Sequence, residues 1–216
     1  MTTQDILHVL QADIHSVVFA TLDDKGLPQT CVIDLMLADA GGLYFLTARG
    51  KSFYERLTAR PFATLTGMKG RDTLSSLAIS LRGPVKNIGK ERLEEIFERN
   101  PYMAKIYPTR QSREALEVFQ LYQGEGEYFD LSQQPPFRRQ FAFGGAAVRE
   151  SGYRIRGEKC IGCQGCRSVC PSGCISGEIP RVIDESRCLH CGNCFRICPV
   201  KAVEKLGEEK TPPAAR

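Results

Sequence analysis

Ten cysteines occur among the 216 residues, and eight of them form two copies of one run. The first copy is Cys160, Cys163, Cys166 and Cys170 followed by Pro171; the second is Cys188, Cys191, Cys194 and Cys198 followed by Pro199. Each reads C-x2-C-x2-C-x3-C-P, and every cysteine recurs 28 residues later. Three thiolates two residues apart can wrap one face of a compact metal–sulfur cube, whereas the fourth lies too far along the chain and turns away. The proline after it lacks an N–H and fixes φ, which helps turn the chain from the metal. Such a run serves iron–sulfur ligation, and its chemistry is electron transfer.

Zinc and disulfides are the competing uses of clustered cysteines. Zinc ribbons set two C-x2-C pairs around an ion that needs four ligands. Here each half offers three close cysteines and a remote one before proline. Disulfides need an oxidising compartment, yet Met1-Thr2-Thr3-Gln4-Asp5 has neither the basic stretch nor the apolar segment of an export signal. No run approaches the roughly 18 apolar residues of a membrane span. The expectation is a cytoplasmic protein with reduced thiols and no membrane contact.

From Gly157 to Leu206 the chain resembles the two-cluster 4Fe-4S bacterial ferredoxins along their whole length. The resemblance implies two 4Fe-4S clusters, with the fourth cysteine of each run serving the other cluster. Cluster one then falls on Cys160, Cys163, Cys166 and Cys198, and cluster two on Cys188, Cys191, Cys194 and Cys170. Cys174 is extra: it matches Ala202 in the second repeat and reads as a small buried hydrophobe. His190, between two of these cysteines, reads as an exposed loop residue, with potential tuning as the sharper alternative. Cys31, far upstream in a β-like stretch, reads as core.

Length and composition suit two domains. The expected division is 1–143 for a larger body, 144–156 for a linker, 157–206 for the cysteine-rich domain and 207–216 for a disordered tail. The body can bury a real core, while the small domain depends on its clusters as staples. A formal charge of +4 without a basic block gives no support to nucleic-acid binding. Helical spacing of Ile6, Leu7, Leu10 and Ile14 predicts a helix over Thr3 to Ile14. Strands follow over Ser16–Leu22, Gln29–Leu37, Leu43–Thr47, Phe62–Thr66 and Leu74–Val85, with short ones near Val118–Tyr122 and Gly126–Leu131. Helices are expected over Lys51–Ala59 and Glu91–Arg99, with a mixed region from Pro101 to Phe119. Tight turns and few crossover helices predict a mainly β chain with some α, built on an antiparallel barrel.

The segment from Gly42 to Leu57 holds the body's chemistry. A strand ends in Thr47-Ala48, turns through Gly50 and opens a helix at Lys51-Ser52. Free N–H groups at a helix start, a hydroxyl and a lysine suit an anion. The Gly50-Lys51-Ser52 triplet is not a P-loop, because Phe45 stands where the earlier glycine must be. No G-x-G-x-x-G occurs either, so an NAD-type dinucleotide fold is not indicated.

Gln29–Asp34, Leu43–Lys51, Pro61–Thr66 and Ile79–Val85 together resemble the pyridoxamine 5′-phosphate oxidase-like, FMN-binding split barrels. The resemblance implies a six-stranded split β-barrel, usually a homodimer with FMN at the subunit interface. It places the FMN phosphate on Thr47, Ala48, Gly50, Lys51 and Ser52, and the isoalloxazine beside Val32, Ile33 and Asp34. The chain departs from the oxidases themselves: it has no tryptophan, Thr30-Cys31-Val32 replaces a basic strand start, and Ala78 stands where they carry glutamine. These departures argue against pyridoxamine phosphate oxidation.

The expected function is a flavin/iron–sulfur oxidoreductase passing electrons between two 4Fe-4S clusters and FMN, toward a redox partner protein or a small-molecule substrate. A non-catalytic carrier or redox sensor is the alternative, as is a barrel holding another ligand such as haem or a deazaflavin. No catalytic acid or base is indicated. His8 and His15 read as surface or satisfied histidines, Tyr44 and Tyr54 as packing, and Arg138-Arg139 as solvent-facing.

Overall fold

Period-two burial makes the strands of the first unit. In β1 (Ser16–Leu22), Val17, Phe19 and Thr21 point inward while Ser16, Val18 and Leu22 face out. The computed structural model describes residues 1–207 and divides into two units. The first comprises residues 1–72, 76–128 and 141–148, and the second residues 73–75, 129–140 and 149–207 of those described.

The first unit begins with α1 (Thr3–His8), closed at its start by a reciprocal capping box between Thr2 and Asp5. The expected continuous helix changes at Val9 to a π-helical stretch ending at Ile14, where His15 N–H reaches back to Leu10 O. The wider turn leaves Ile14 half-buried, while Ile6, Leu7 and Leu10 are fully enclosed. The remaining elements are β2 (Pro28–Asp39), β3 (Gly42–Ala48), α2 (Ser52–Ala59), β4 (Phe62–Lys69), β5 (Leu77–Gly89), α3 (Leu93–Arg99), α4 (Met103–Ile106), β6 (Leu116–Leu121), β7 (Gly124–Asp130) and β8 (Phe137–Phe143).

Strand order is β4-β1-β2-β3-β6-β5-β7-β8, and β4 also pairs with β5, so six strands form the expected split barrel. The split comes from two long strands. β2 pairs with β1 over Pro28–Asp34 and with β3 over Leu35–Asp39, the register shifting between Leu35 and Leu37. β5 likewise pairs with β4 through Pro84 and with β6 from Val85 onward. Inside, Phe19 and Phe45 meet Phe53 of α2 and Phe45 stacks on Phe119, with Phe19 and Phe45 centroids 4.7 Å apart. A second layer, Met36, Tyr44 and Leu46 with Ile96, Phe97 and Met103, seats α3 and α4 on the β3–β6 half. Gly67 lets the N-terminal helix approach β4, because a Cβ there would stand 2.9 Å from Val17 Cγ1 and 3.1 Å from Leu10 Cδ2.

β8 was not expected. Its apolar positions, Phe137, Phe141 and Phe143, are broken by Arg138-Arg139, which hides the alternation. Residues 144–156, expected as linker, contain a strand of the second unit, β9 (Gly152–Ile155). α5 (Gly165–Ser168), β10 (Ile175–Ser176), β11 (Val182–Ile183), α6 (Asn193–Ile197) and β12 (Val203–Leu206) complete it. The tail expected over 207–216 falls, beyond Gly207, outside the described residues. Among the described residues no helix is long and apolar enough to cross a membrane.

Candidate cofactor sites

The cysteine unit is two copies of strand, cysteine loop, short helix, cysteine and strand. Its strands pair between copies rather than within them: β9 with β12, and β10 with β11, both antiparallel. Two further backbone bonds obey the repeat, Arg156 N–H to Ala202 O and Asp184 N–H to Cys174 O, each 2.8 Å. This exchange brings the cysteine before β12, Cys198, to the loop after β9, and the one before β10, Cys170, to the loop after β11. Two cavities result. Cys160, Cys163, Cys166 and Cys198 line the first; Cys170, Cys188, Cys191 and Cys194 line the second. The structure thus brings together the two sets of four that the resemblance implied.

The donor sets suit metal–sulfur cubes better than single ions. Each cavity is lined by the three close cysteines of one run and the remote one of the other, the donor set of a metal–sulfur cube. Burial pushes the Cys194 thiol up to about 11, with the neighbouring cysteines adding to the shift. Cys188 and Cys166 are raised for the same first reason. Such thiols become thiolates when a metal supplies positive charge. Cys160 is the opposite case: the main-chain N–H groups of Arg181 and Gly162, then the Arg181 charge, hold it below the ordinary thiol value. Gly162 can turn its N–H this way because it sits at φ +70°, a conformation that disfavours side chains.

Cys174 is buried, as expected, yet it belongs to the second cavity, its Sγ 3.5 Å from Cys170 Sγ. His190 is not simply an exposed loop residue: it is half-buried, and its N–H donates to Cys188 Sγ at 3.4 Å. Arg138 does not merely face solvent, because its Nε donates to Cys188 O at 3.1 Å and its guanidinium lies over the Phe129 ring. Arg181 and Tyr153, which line the first and second cavities, were missed in the sequence. The signal was present: they are 28 residues apart, the repeat length carried upstream of the cysteines.

In the barrel, Thr47 and Ala48 close β3, Gly50 lies in the turn, Lys51 is the N-cap of α2 and Ser52 its first residue. No side chain caps this helix, so its first-turn N–H groups point outward unmatched. Thr47 is 2% exposed and its Oγ1 has no hydrogen-bond partner. A Cβ built on Gly50 meets nothing within 4 Å, which leaves the turn open. Arg49 is turned away, bonded to Glu117 and to Glu114 O. Ser52, Gln29, Arg56 and Arg60 line an open groove of about 450 Å³ beside α2, together with Asp23, Asp24 and Glu55.

Cys31 of β2, expected in the core, is half-buried; burial raises its thiol against the pull of Arg56 and Lys51. Gln29 near the start of β2 and Ser52 at the start of α2 line the same groove. Lysine, hydroxyls, arginine and uncapped N–H groups fit a phosphate. Val32 is exposed and Ile33 half-buried, opposite Val18 and Val17 of β1. Asp34 is already engaged, accepting from Ser16 Oγ at 2.6 Å and Tyr102 Oη at 3.1 Å. His15 is satisfied, its Nε2 2.8 Å from the Tyr102 hydroxyl. Burial, followed by the Asp34 charge, raises Tyr102 well above an ordinary phenol.

Fold and cysteine geometry define a split barrel joined to an iron–sulfur domain. Residues 3–128 match the pyridoxamine 5′-phosphate oxidase family, more than half of the chain, and residues 159–202 match the 4Fe-4S dicluster domain. The chain belongs to the pyridoxamine 5′-phosphate oxidase family and carries an iron–sulfur domain, which gives it a redox role.

Among solved structures it is similar to a NimC/NimA family protein from Clostridium acetobutylicum, with 18% identity over 65% of this chain and 92% of that one, TM-score 0.54. Campylobacter jejuni ChuZ gives 10% identity over 62% and 58%, TM-score 0.50. A pyridoxamine 5′-phosphate oxidase-related, FMN-binding protein from Nostoc punctiforme gives 12% over 68% and 88%, TM-score 0.45. At these identities the likeness to the first two is one of fold. No curated protein matches the chain.

Proposed function

We propose that this protein is an FMN-dependent iron–sulfur oxidoreductase that moves electrons between two 4Fe-4S clusters and a flavin. The observation carrying this reading is one chain holding two cavities, lined by four and five cysteines, and a barrel with a phosphate-suited helix start. Cys160, Cys163, Cys166 and Cys198 hold one cluster; Cys188, Cys191, Cys194 and Cys170 hold the other. Thr47, Ala48, Gly50, Lys51 and Ser52 receive the FMN phosphate, and the isoalloxazine runs beside Val32, Ile33 and Asp34. Bound flavin supplies two-electron chemistry that can also proceed in single steps. The residues of the chain position it and match its charge. Ser16 and Tyr102 keep Asp34 in place with two hydrogen bonds, so its oxygens are oriented before any ligand arrives.

The barrel acts as a homodimer in this reading. Val18, Val32, Met68 and Phe62 stand exposed on the outer face of the β1–β2–β4 half. The cytoplasm suits the reduced thiols, and the electron acceptor or donor is a partner protein or a small molecule. Anaerobically purified protein should contain about eight iron, eight sulfide and one FMN per chain by colorimetric assay and acid-released flavin. Eight iron without flavin would leave an iron–sulfur carrier and remove the flavin half of the proposal.

A further inference from the structure

The two cavities can be compared position by position, because the repeat extends through their linings. Ile155, Ala202 and Val203 line the first; their counterparts 28 residues away, Ile183, Cys174 and Ile175, line the second. One pair breaks the match in charge. Tyr153 lines the second cavity, and Arg181 stands in its place at the first. Arg181 is only 8% exposed. One of its terminal nitrogens donates to Gly177 O, but its Nε is buried without a hydrogen-bond partner. A buried cation is costly unless an anion answers it. The cavity it lines is ringed by four thiols, and a thiolate-ligated cluster is anionic and becomes more so on reduction.

We propose that Arg181 makes the two clusters unequal, holding the cluster of Cys160, Cys163, Cys166 and Cys198 at the higher reduction potential, so that the first electron to enter the chain rests there. This rests on the two-cluster reading above. Other groups near the second cavity favour reduction less. Cys174 Sγ and Ser172 Oγ lie 3.5 and 3.6 Å from Cys170 Sγ, as neutral and long contacts. Arg138 donates to the Cys188 carbonyl, not to a sulfur, and it is less buried than Arg181. Hydrogen bonds involving an ionised group are about twice as strong as neutral ones, and a charge acts further in a medium of low dielectric.

The test is an anaerobic dithionite titration of the full-length protein followed by electron paramagnetic resonance. Wild type should reduce in two separated steps. Arg181→Met should lower the higher step by at least tenfold in its equilibrium constant, 59 mV for a one-electron couple, and leave the lower step in place. Arg181→Lys should retain most of the separation, and Cys174→Ala should lower only the lower step. If Arg181→Met loses iron, Tyr153→Arg carries the test by raising the lower step toward the higher. Unsplit wild-type steps, or an Arg181→Met variant that shifts neither step or both alike, would overturn the proposal. Iron analysis of the same samples separates the failures: about four iron in wild type overturns the two-cluster reading itself.

Discussion

Cys160→Ala and Cys198→Ala are expected to abolish the same cluster although they lie 38 residues apart in sequence. Each should lower iron from about eight to about four per chain, and the double variant should lose no more than either alone. Cys198→Ala combined with Cys170→Ala should instead lose nearly all the iron, because these two line different cavities. The reason is the strand exchange that sets β12 beside β9 and β11 beside β10. Iron and sulfide analysis reads all three outcomes. Additive loss in Cys160→Ala/Cys198→Ala would show that each run of four holds its own cluster. The effect on stability should also be large. The small core is mostly cysteine, with Ile175 and Val203 as its buried aliphatic members. Without clusters such a core cannot offset the chain entropy, so chelation should unfold this unit and leave the barrel's melting transition.

The second expected result is selective loss of flavin in Lys51→Ala. A charge-assisted contact contributes about 1.5–3 kcal/mol, so FMN affinity should fall roughly 10- to 100-fold. Stability should change by no more than about 0.5 kcal/mol, because Lys51 is exposed at a helix start, where a positive charge opposes the dipole. Fluorescence titration of FMN into flavin-free protein, beside a thermal melt, separates the two quantities. Unchanged affinity would return Lys51 to an ordinary surface residue. Thr47→Val provides a control from inside the barrel. Its hydroxyl is buried without a partner, so its removal should not destabilise the flavin-free fold but should weaken FMN binding.

The parts legible in the sequence are those where local chemistry decides structure. The cysteine spacing names its ligands because a short loop can present only so many thiolates to one cube. β1 was readable from alternation, and α2 from the glycine turn before it. What escaped depends on pairing between distant segments. β9 looks like linker because it begins at Gly152, just after Ser151, and only four residues pair, yet β12 supplies its whole register. Arg181 looks like one more loop arginine until the pairing of β10 with β11 carries it into the first cavity. Asp34 illustrates a third case. The resemblance placed it beside the flavin, but its hydrogen bonds come from Ser16 on the paired strand and from Tyr102, 68 residues away. The π-helical turn before His15 gave no local sign, since the apolar spacing of Leu10 and Ile14 suits an α-helix equally well.

The central claim is that clusters and flavin form one electron path. It is tested most directly by rapid mixing of the oxidised protein with a limiting amount of a reduced low-potential ferredoxin, following cluster and flavin absorbance separately. Cluster bleaching should come first, with flavin bleaching following as the clusters reoxidise. The Cys170→Ala/Cys198→Ala variant, with FMN still bound, should show flavin reduction slowed at least tenfold. Flavin reduction at the same rate with and without clusters would contradict the account, as would clusters that stay reduced beside oxidised FMN.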